Sequence, residues 1–429
     1  MDKDLTLFRQ CWYFLAGMKT SAVIGAGISG LAAAYVLSRR HRVDLYATRS
    51  PISFSLPKQE QPFRQSQCRP FFAGLLPEES QRDMIAGALG ISTGNDFAFL
   101  DALGGDVAGS LSLWPEGAVP PTPEPTETPR PLSDDELIDL LDTLPKRPLL
   151  AGREGLRLSL AGAQTKLPVV LVDDRVALPA PGQPTTYILK PAITRFPHTT
   201  ENEGLVMTLA ASVGLPVAHV AARIVGGRSY LLVTRYDRQF DASGRAHRLH
   251  QEDFCQALGI PPERKYAAEG GPTFKTGFDL LRRVTAVPAV AVLALLDAAI
   301  FNLIVGNADA HGKNFSLLYQ AAGVTLAPFY DLLSTVAYPD LSPNLAMKIA
   351  TRATLEEIGP ATWPAFADDI GLAASFVRRR VKELSDAVVA QVSLLPDSPA
   401  LAVLDASALK EYAVFIASRA ERLARTSTK

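Results

Sequence analysis

The stretch "FNLIVGNADAHGKNFSLL", residues 301–318, holds the residue types that phosphoryl transfer needs. That chemistry wants a carboxylate beside the attacking hydroxyl and an oxygen ligand for Mg²⁺ a few residues on. Protein kinases space the two as Asp-x-x-x-x-Asn. Asp309 and Asn314 have this spacing. Lys313 stands between them, where it would neutralise charge on the transferred group, and His311 joins the set expected around ATP. Downstream, "LAPFYDLLS" puts Asp331 after an apolar run, where a second Mg²⁺ ligand belongs. Mg²⁺ takes one or two protein oxygens plus phosphate oxygens, so Asn314 with Asp331 suffices.

Residues that would hold ATP lie upstream. Lys190 ends the apolar strand "TTYILKP", as a phosphate-pairing lysine does, and Glu203 on the following helix is its natural partner. The small-residue turn "SLAGAQTK", 159–166, places Ala161, Gly162, Ala163, Gln164, Thr165 and Lys166 where backbone N–H groups can cover phosphates. "VTRYDR" follows another strand, and Thr234, Arg235 and Tyr236 fall where a hinge would hold adenine.

The elements that must position these residues follow from pattern. Ser133 with Glu136 reads as a capping box for the helix "DDELIDLLDTL". Residues 200–215 read as a helix, "SYLLVTRYDR" as a strand entering a turn, and 288–305 and 370–390 as long apolar helical periodicities. A β-rich half followed by a helical half predicts an α+β, two-lobed protein-kinase-like fold behind a small N-terminal α/β domain. The expected divisions are 1–50, an atypical βαβ-like fragment; 51–114, a truncated N-terminal domain; 115–132, a Pro-rich linker; 133–240, the N-lobe with its lead-in helix; and 241–429, the C-lobe.

Composition narrows the classes. Forty-three basic against 44 acidic residues leave no charge bias toward nucleic acid. The three cysteines are far apart with no CxxC, which fits a reducing compartment and argues against a zinc site. Residues 20–37 are nearly uncharged, but their glycines favour a phosphate-binding turn over a membrane span, and Asp2 and Asp4 argue against a signal peptide. A cytoplasmic protein is expected. The turn itself, Gly25-x-Gly27-x-x-Gly30 after a strand at Ala22–Ile24, resembles the opening of FAD/NAD-binding flavoproteins. The second strand ends on Ala47 rather than an acidic residue, and no further nucleotide motif follows, so neither flavin nor NAD is expected.

From about Pro51 onward the chain resembles the HipA family, serine/threonine kinase toxins of bacterial toxin–antitoxin modules. The strings that carry the likeness are "SFSLP", "RPFFAGLLPE", "SLAGAQTKLP", "ENEGLVMTLA", "RLHQEDFCQALG", "KYAAEGGP", "NADAHGKNFSLL" and "PFYDLLS". The resemblance implies Asp309 as catalytic base, Asn314 and Asp331 as Mg²⁺ ligands, Lys190 on the ATP phosphates and Ser159 as an autophosphorylated serine that switches the kinase off. It further implies a HipB-like helix-turn-helix antitoxin, DNA contact only through that partner, and glutamyl-tRNA synthetase as substrate. Aminoglycoside and choline kinases share the Asp-x-x-x-x-Asn chemistry, so a small-molecule phosphotransferase is the first alternative. A FAD/NAD-binding oxidoreductase fragment is the second.

Overall fold

The computed structural model describes residues 51–59, 62–114, 129–153 and 156–427, together with the backbone of two strands at 19–25 and 41–45. The opening leader, the glycine turn with its helix, and residues 115–128 of the Pro-rich linker lie outside the described residues.

Strand β1 (Lys19–Gly25) runs parallel to β2 (His41–Leu45), with Lys19 opposite His41. On its other side β1 pairs antiparallel with β3 (Leu111–Trp114), Ala22 facing Trp114. The boundary expected at residue 50 therefore cuts across one three-stranded sheet: a paired strand leaves no open edge between the two parts. Helices Gln65–Ala73, Glu79–Leu89 and Asp96–Leu103 complete this N-terminal unit. Ile52, Phe71, Phe72, Phe99, Leu100 and Leu111 form its core.

A five-stranded antiparallel sheet builds the next layer from β4 (Leu167–Val172), β5 (Arg175–Ala177), β6 (Tyr187–Pro191), β7 (Val220–Val225) and β8 (Arg228–Thr234). The order is β5-β4-β6-β8-β7, so β6 is central and Lys190 lies opposite Leu231. Helix Asp134–Thr143 begins at the expected capping box, where the Glu136 N–H donates to Ser133 Oγ and the Ser133 N–H to the Glu136 carboxylate. Its Leu137, Leu140 and Leu141 pack on Leu167, Leu189 and Leu232 of the sheet. Helix Thr199–Ser212 follows β6 and is buried along most of its length.

The C-terminal half is helical: Phe274–Val284, Pro288–Val305, Thr362–Ile370, Ala374–Val392 and Ala406–Thr426. A small antiparallel sheet of His250–Asp253, Ser316–Gln320 and Gly323–Leu326 lies against them. Pro288 fits the first helical position because its missing N–H would have no partner there. This helix is long and apolar enough to cross a membrane by composition. It instead packs against Phe274–Val284, Ala374–Val392 and Ala406–Thr426 as the central helix of the lobe. An apolar circumference is what such a surrounded helix requires. The fold is thus the two-lobed, kinase-like α+β architecture that the pattern predicts.

Candidate active site

Central strand β6 carries Lys190 into the cleft between the lobes. Its ammonium lies 2.5 Å from Glu203 Oε1 and also bonds the Asp331 carboxylate. Lys190 is 4% exposed and Glu203 3%, so this is a buried ion pair. Burial alone would lower the lysine's pKa; Asp331 and Glu203 outweigh it and raise it above the ordinary value. Burial likewise pushes Glu203 up, against the pull of Lys190. Asp331 goes the other way: Lys190 and Lys166 overcome its desolvation and bring it down to about 2. Its backbone is left-handed at φ 54, a conformation that aspartate tolerates better than most residues.

Residues 159–166 close the cleft from above. Gly162 has φ 112, and a Cβ built there would stand 2.8 Å from Lys166 Nζ. The glycine lets the Lys166 ammonium lie over the loop backbone. That ammonium faces Asp331, Lys190 and Glu203, with burial lowering its pKa. Ser159, fully buried, donates from Oγ to the Leu75 carbonyl at 2.8 Å.

The opposite wall begins where helix Pro288–Val305 stops at Gly306, which is left-handed at φ 79. Asn307 turns back on Asn302, and the Asp309 N–H donates to Asn307 Oδ1. Asp309 keeps solvent access as a residue, while its carboxyl lies among Lys265, Tyr266, Glu79 and Asp331. Cleft walls partly desolvate its carboxyl and raise its pKa; Lys265 and the Tyr266 phenol oppose this, and Asp331 adds to it. Asn314 ends a 3₁₀ turn over Gly312–Asn314, its Oδ1 accepting from the His311 N–H at 3.1 Å. His311 is buried, held neutral near pKa 3 by desolvation and nearby lysines, and set edge-on to Tyr266.

The fold thus brings Asp309, Asp331, Lys190, Glu203, Lys166 and the 159–166 turn to one cleft, with Asn314 at the end of the catalytic-loop turn that follows Asp309. Two expected residues play other parts. Lys313 is not free to meet a phosphoryl group: its ammonium bonds Asp253 at 2.8 Å and the Gly74 carbonyl at 3.0 Å, and Glu78 is 3.5 Å away. A lysine so enclosed by acceptors is an anchor for the N-terminal domain. The Arg235 side chain also turns from the cleft. It bonds Asp237, Asp106, Thr185 and the Val107 carbonyl, and its backbone N–H is taken by Thr186. The Thr234 N–H is taken by the His219 carbonyl. The Tyr236 ring stacks on Tyr330 at 5.7 Å, with its hydroxyl on Gln251.

Sequence reasoning missed Glu78, Lys265 and Tyr266. The last two lie in "KYAAEGGP", but no spacing rule ties that string to Asp309. Glu78 comes from another domain, and only the folded chain brings it here.

A family model described as HipA-like C-terminal domain matches residues 158–392, and one described as HipA N-terminal domain matches 37–114. The second match includes β2, and none of the matches supports the flavoprotein resemblance of residues 18–50. Protein Y4mE of Sinorhizobium fredii is 58% identical over 373 residues, 86% of this chain and 89% of that protein. The serine/threonine-protein kinase toxin HipA of Shewanella oneidensis is 32% identical over 368 residues, 82% and 83% of the two chains. HipA in a solved Shewanella oneidensis complex with HipB and operator DNA superposes with a TM-score of 0.73 at 30% identity, covering 84% of this chain and 86% of that one.

Proposed function

The chain belongs to the HipA family of serine/threonine-protein kinase toxins, and from that membership we propose that it moves the γ-phosphoryl group of ATP to a hydroxyl of a translation-related protein in the cytoplasm, glutamyl-tRNA synthetase being the substrate the resemblance points to. The observation that carries this reading is the meeting of Asp309, Asp331, Lys190, Glu203 and Lys166 in one cleft. Asp309 orients the attacking hydroxyl and takes its proton. The hydroxyl oxygen bonds the γ-phosphorus as the bond to the bridging oxygen breaks, and ADP leaves. Lys190 and Lys166 hold phosphate oxygens, with Glu203 fixing Lys190. Catalysis of this kind rests on position and charge.

Asn314 and Asp331 offer oxygen atoms alone, the donor set that Mg²⁺ prefers, and these two residues would hold it. When bound, the ion neutralises phosphate charge. Ser159 is the proposed self-phosphorylation site. A dianionic phosphate has no room against the Leu75 carbonyl, so the modified loop must leave the cleft. A HipB-like helix-turn-helix antitoxin is the proposed partner, with operator DNA reached through it.

The test compares wild type with Asp309→Asn in labelled-ATP transfer and in growth on expression. The variant keeps the shape of the site, so ATP binding is retained while transfer falls by about 10²–10⁴-fold and growth arrest is lost. Transfer at the wild-type rate in Asp309→Asn would overturn the reading.

A further inference from the structure

Residues 74–81 of the N-terminal domain touch both walls of the cleft. On the phosphate-loop side, the Leu75 carbonyl accepts from Ser159 Oγ at 2.8 Å, and Pro77 bridges Gly162. There too the Glu78 N–H donates to the Gly162 carbonyl at 3.3 Å, and Gln81 Nε2 donates to Thr165 Oγ1 at 3.1 Å. On the catalytic-loop side, the Gly74 carbonyl accepts from Lys313 at 3.0 Å. Lys265 lies 3.0 Å from both Glu78 and Glu79, and the Lys265 carbonyl accepts from the Gly312 N–H. Two lysines outweigh burial and hold the Glu78 carboxyl down near pKa 2, so the bridge is ionic at neutral pH. Glu79 at the turn is left-handed at φ 49, a strained conformation that the surrounding contacts must enforce.

We propose that residues 74–81 form a strap that positions the ATP site, setting the 159–166 loop against the catalytic loop, with Gln81 and Glu78 as positioning residues. The consequence for ATP rests on the kinase reading; the strap itself does not. The loop's small residues give it little packing of its own, so its place depends on these cross-domain bonds. Ser159 has no solvent access while the strap holds. Its phosphorylation therefore requires release of Leu75, Gly162 and Thr165. Loosening the strap weakens nucleotide binding and speeds Ser159 modification, two effects of opposite sign that general destabilisation does not produce together.

The experiment uses the full chain and measures hydrogen exchange at the Glu78 amide, bonded to the Gly162 carbonyl, and at the Ser159 amide, which is bonded to the Asp106 carbonyl and reports the loop end next to the strap. Wild type is compared with Gln81→Ala, Thr165→Val and the double variant. Glu78→Gln would also take one of the carboxylates from two buried lysines, so Gln81→Ala, which leaves every charge in place, is the deciding change. Loss of one hydrogen bond is expected to speed exchange at these amides roughly threefold to tenfold, with helix 288–305 unchanged. The double variant should go no further than either single one. A fluorescent ATP analogue with Mg²⁺ should bind Gln81→Ala more weakly by a similar factor, while mass spectrometry shows Ser159 phosphate forming sooner in Mg²⁺–ATP. Unchanged exchange at Glu78 and Ser159 in Gln81→Ala would overturn the strap. Wild type that binds no analogue would count against the kinase reading, while the nucleotide-free exchange comparison still decides the strap.

Discussion

At the scale of the residue, the cleft is set by charges that cannot be satisfied separately. Lys190 serves two carboxylates, and removing it would leave Glu203 and Asp331 without their direct ion-pair partner, with only the more distant Lys166 ammonium facing them. Gly162 is a further local requirement. Its φ of 112 is one that side chains rarely adopt, and any Cβ there meets the Lys166 ammonium. Gly162→Ala is expected to displace Lys166 and strain the loop by about 1–3 kcal/mol. The resulting defect should be a several-fold higher KM for ATP with a smaller change in kcat. Steady-state kinetics at varied ATP measure this, and an unchanged KM would remove the loop backbone from the nucleotide site.

Among the elements, helix Pro288–Val305 does most to place the chemistry. Its C-terminal Gly306 turns the chain directly into Asn307–Asp309, and Ala308 is fixed by the Thr335 hydroxyl. Its Leu295 is fully buried in the largest core cluster. Leu295→Ala should lower stability by about 2–5 kcal/mol through lost burial and a residual cavity. Denaturant melts followed by circular dichroism would show it as a lower midpoint with an unchanged slope. A shift below about 1 kcal/mol would mean that the neighbouring helices collapse into the gap. Helix Glu79–Leu89 starts only after Glu78, which is held extended against the phosphate loop.

For the whole molecule, the N-terminal domain is fastened to both lobes. Asp106 accepts from Thr185, Arg235, Arg238 and Arg248, and these donors hold its pKa well below the ordinary value despite burial. Near the C-lobe, the Glu252 carboxylate accepts from Ser53, the Phe54 N–H and Tyr319. Burial wins over these bonds and raises Glu252 to about 7 from an ordinary 4.5. The folded chain therefore binds more protons than the unfolded chain between those values. Stability from this group is full below about pH 4.5 and is lost as pH rises through about 7. The effect is on the order of 3 kcal/mol. Glu252→Gln imitates the protonated side chain, so its melting temperature should fall less than that of wild type between pH 5 and about 8. Parallel pH slopes for the two proteins would show that Glu252 does not titrate in this window.

The sequence by itself determined the local features. Period and length located helix 288–305 and, read as 370–390, most of the helix at 374–392; the capping box marked the start of Asp134–Thr143, and short-range spacing singled out Asp309 and Asn314 as candidates. These depend on neighbours within a few residues, so they are written in the order of the chain. Lys190, Glu203 and Asp331 were legible as separate candidates because each follows a strand or begins a helix of recognisable pattern. Tertiary structure alone decided which cations face the cleft. Lys313 has the sequence position expected of a cation facing the phosphoryl group, but its ammonium is drawn toward Asp253 and Glu78, and the guanidinium of Arg235 in the expected hinge is drawn toward Asp106 and Asp237. A long charged side chain goes to the acceptors that burial leaves unsatisfied; Glu78 and Asp106 come from the N-terminal domain, Asp253 from 60 residues away, and Asp237 from two residues along the same turn. The same reason hides the joining of β1 to β3 and of residues 74–81 to the cleft: both are pairings between distant segments, which no local pattern encodes.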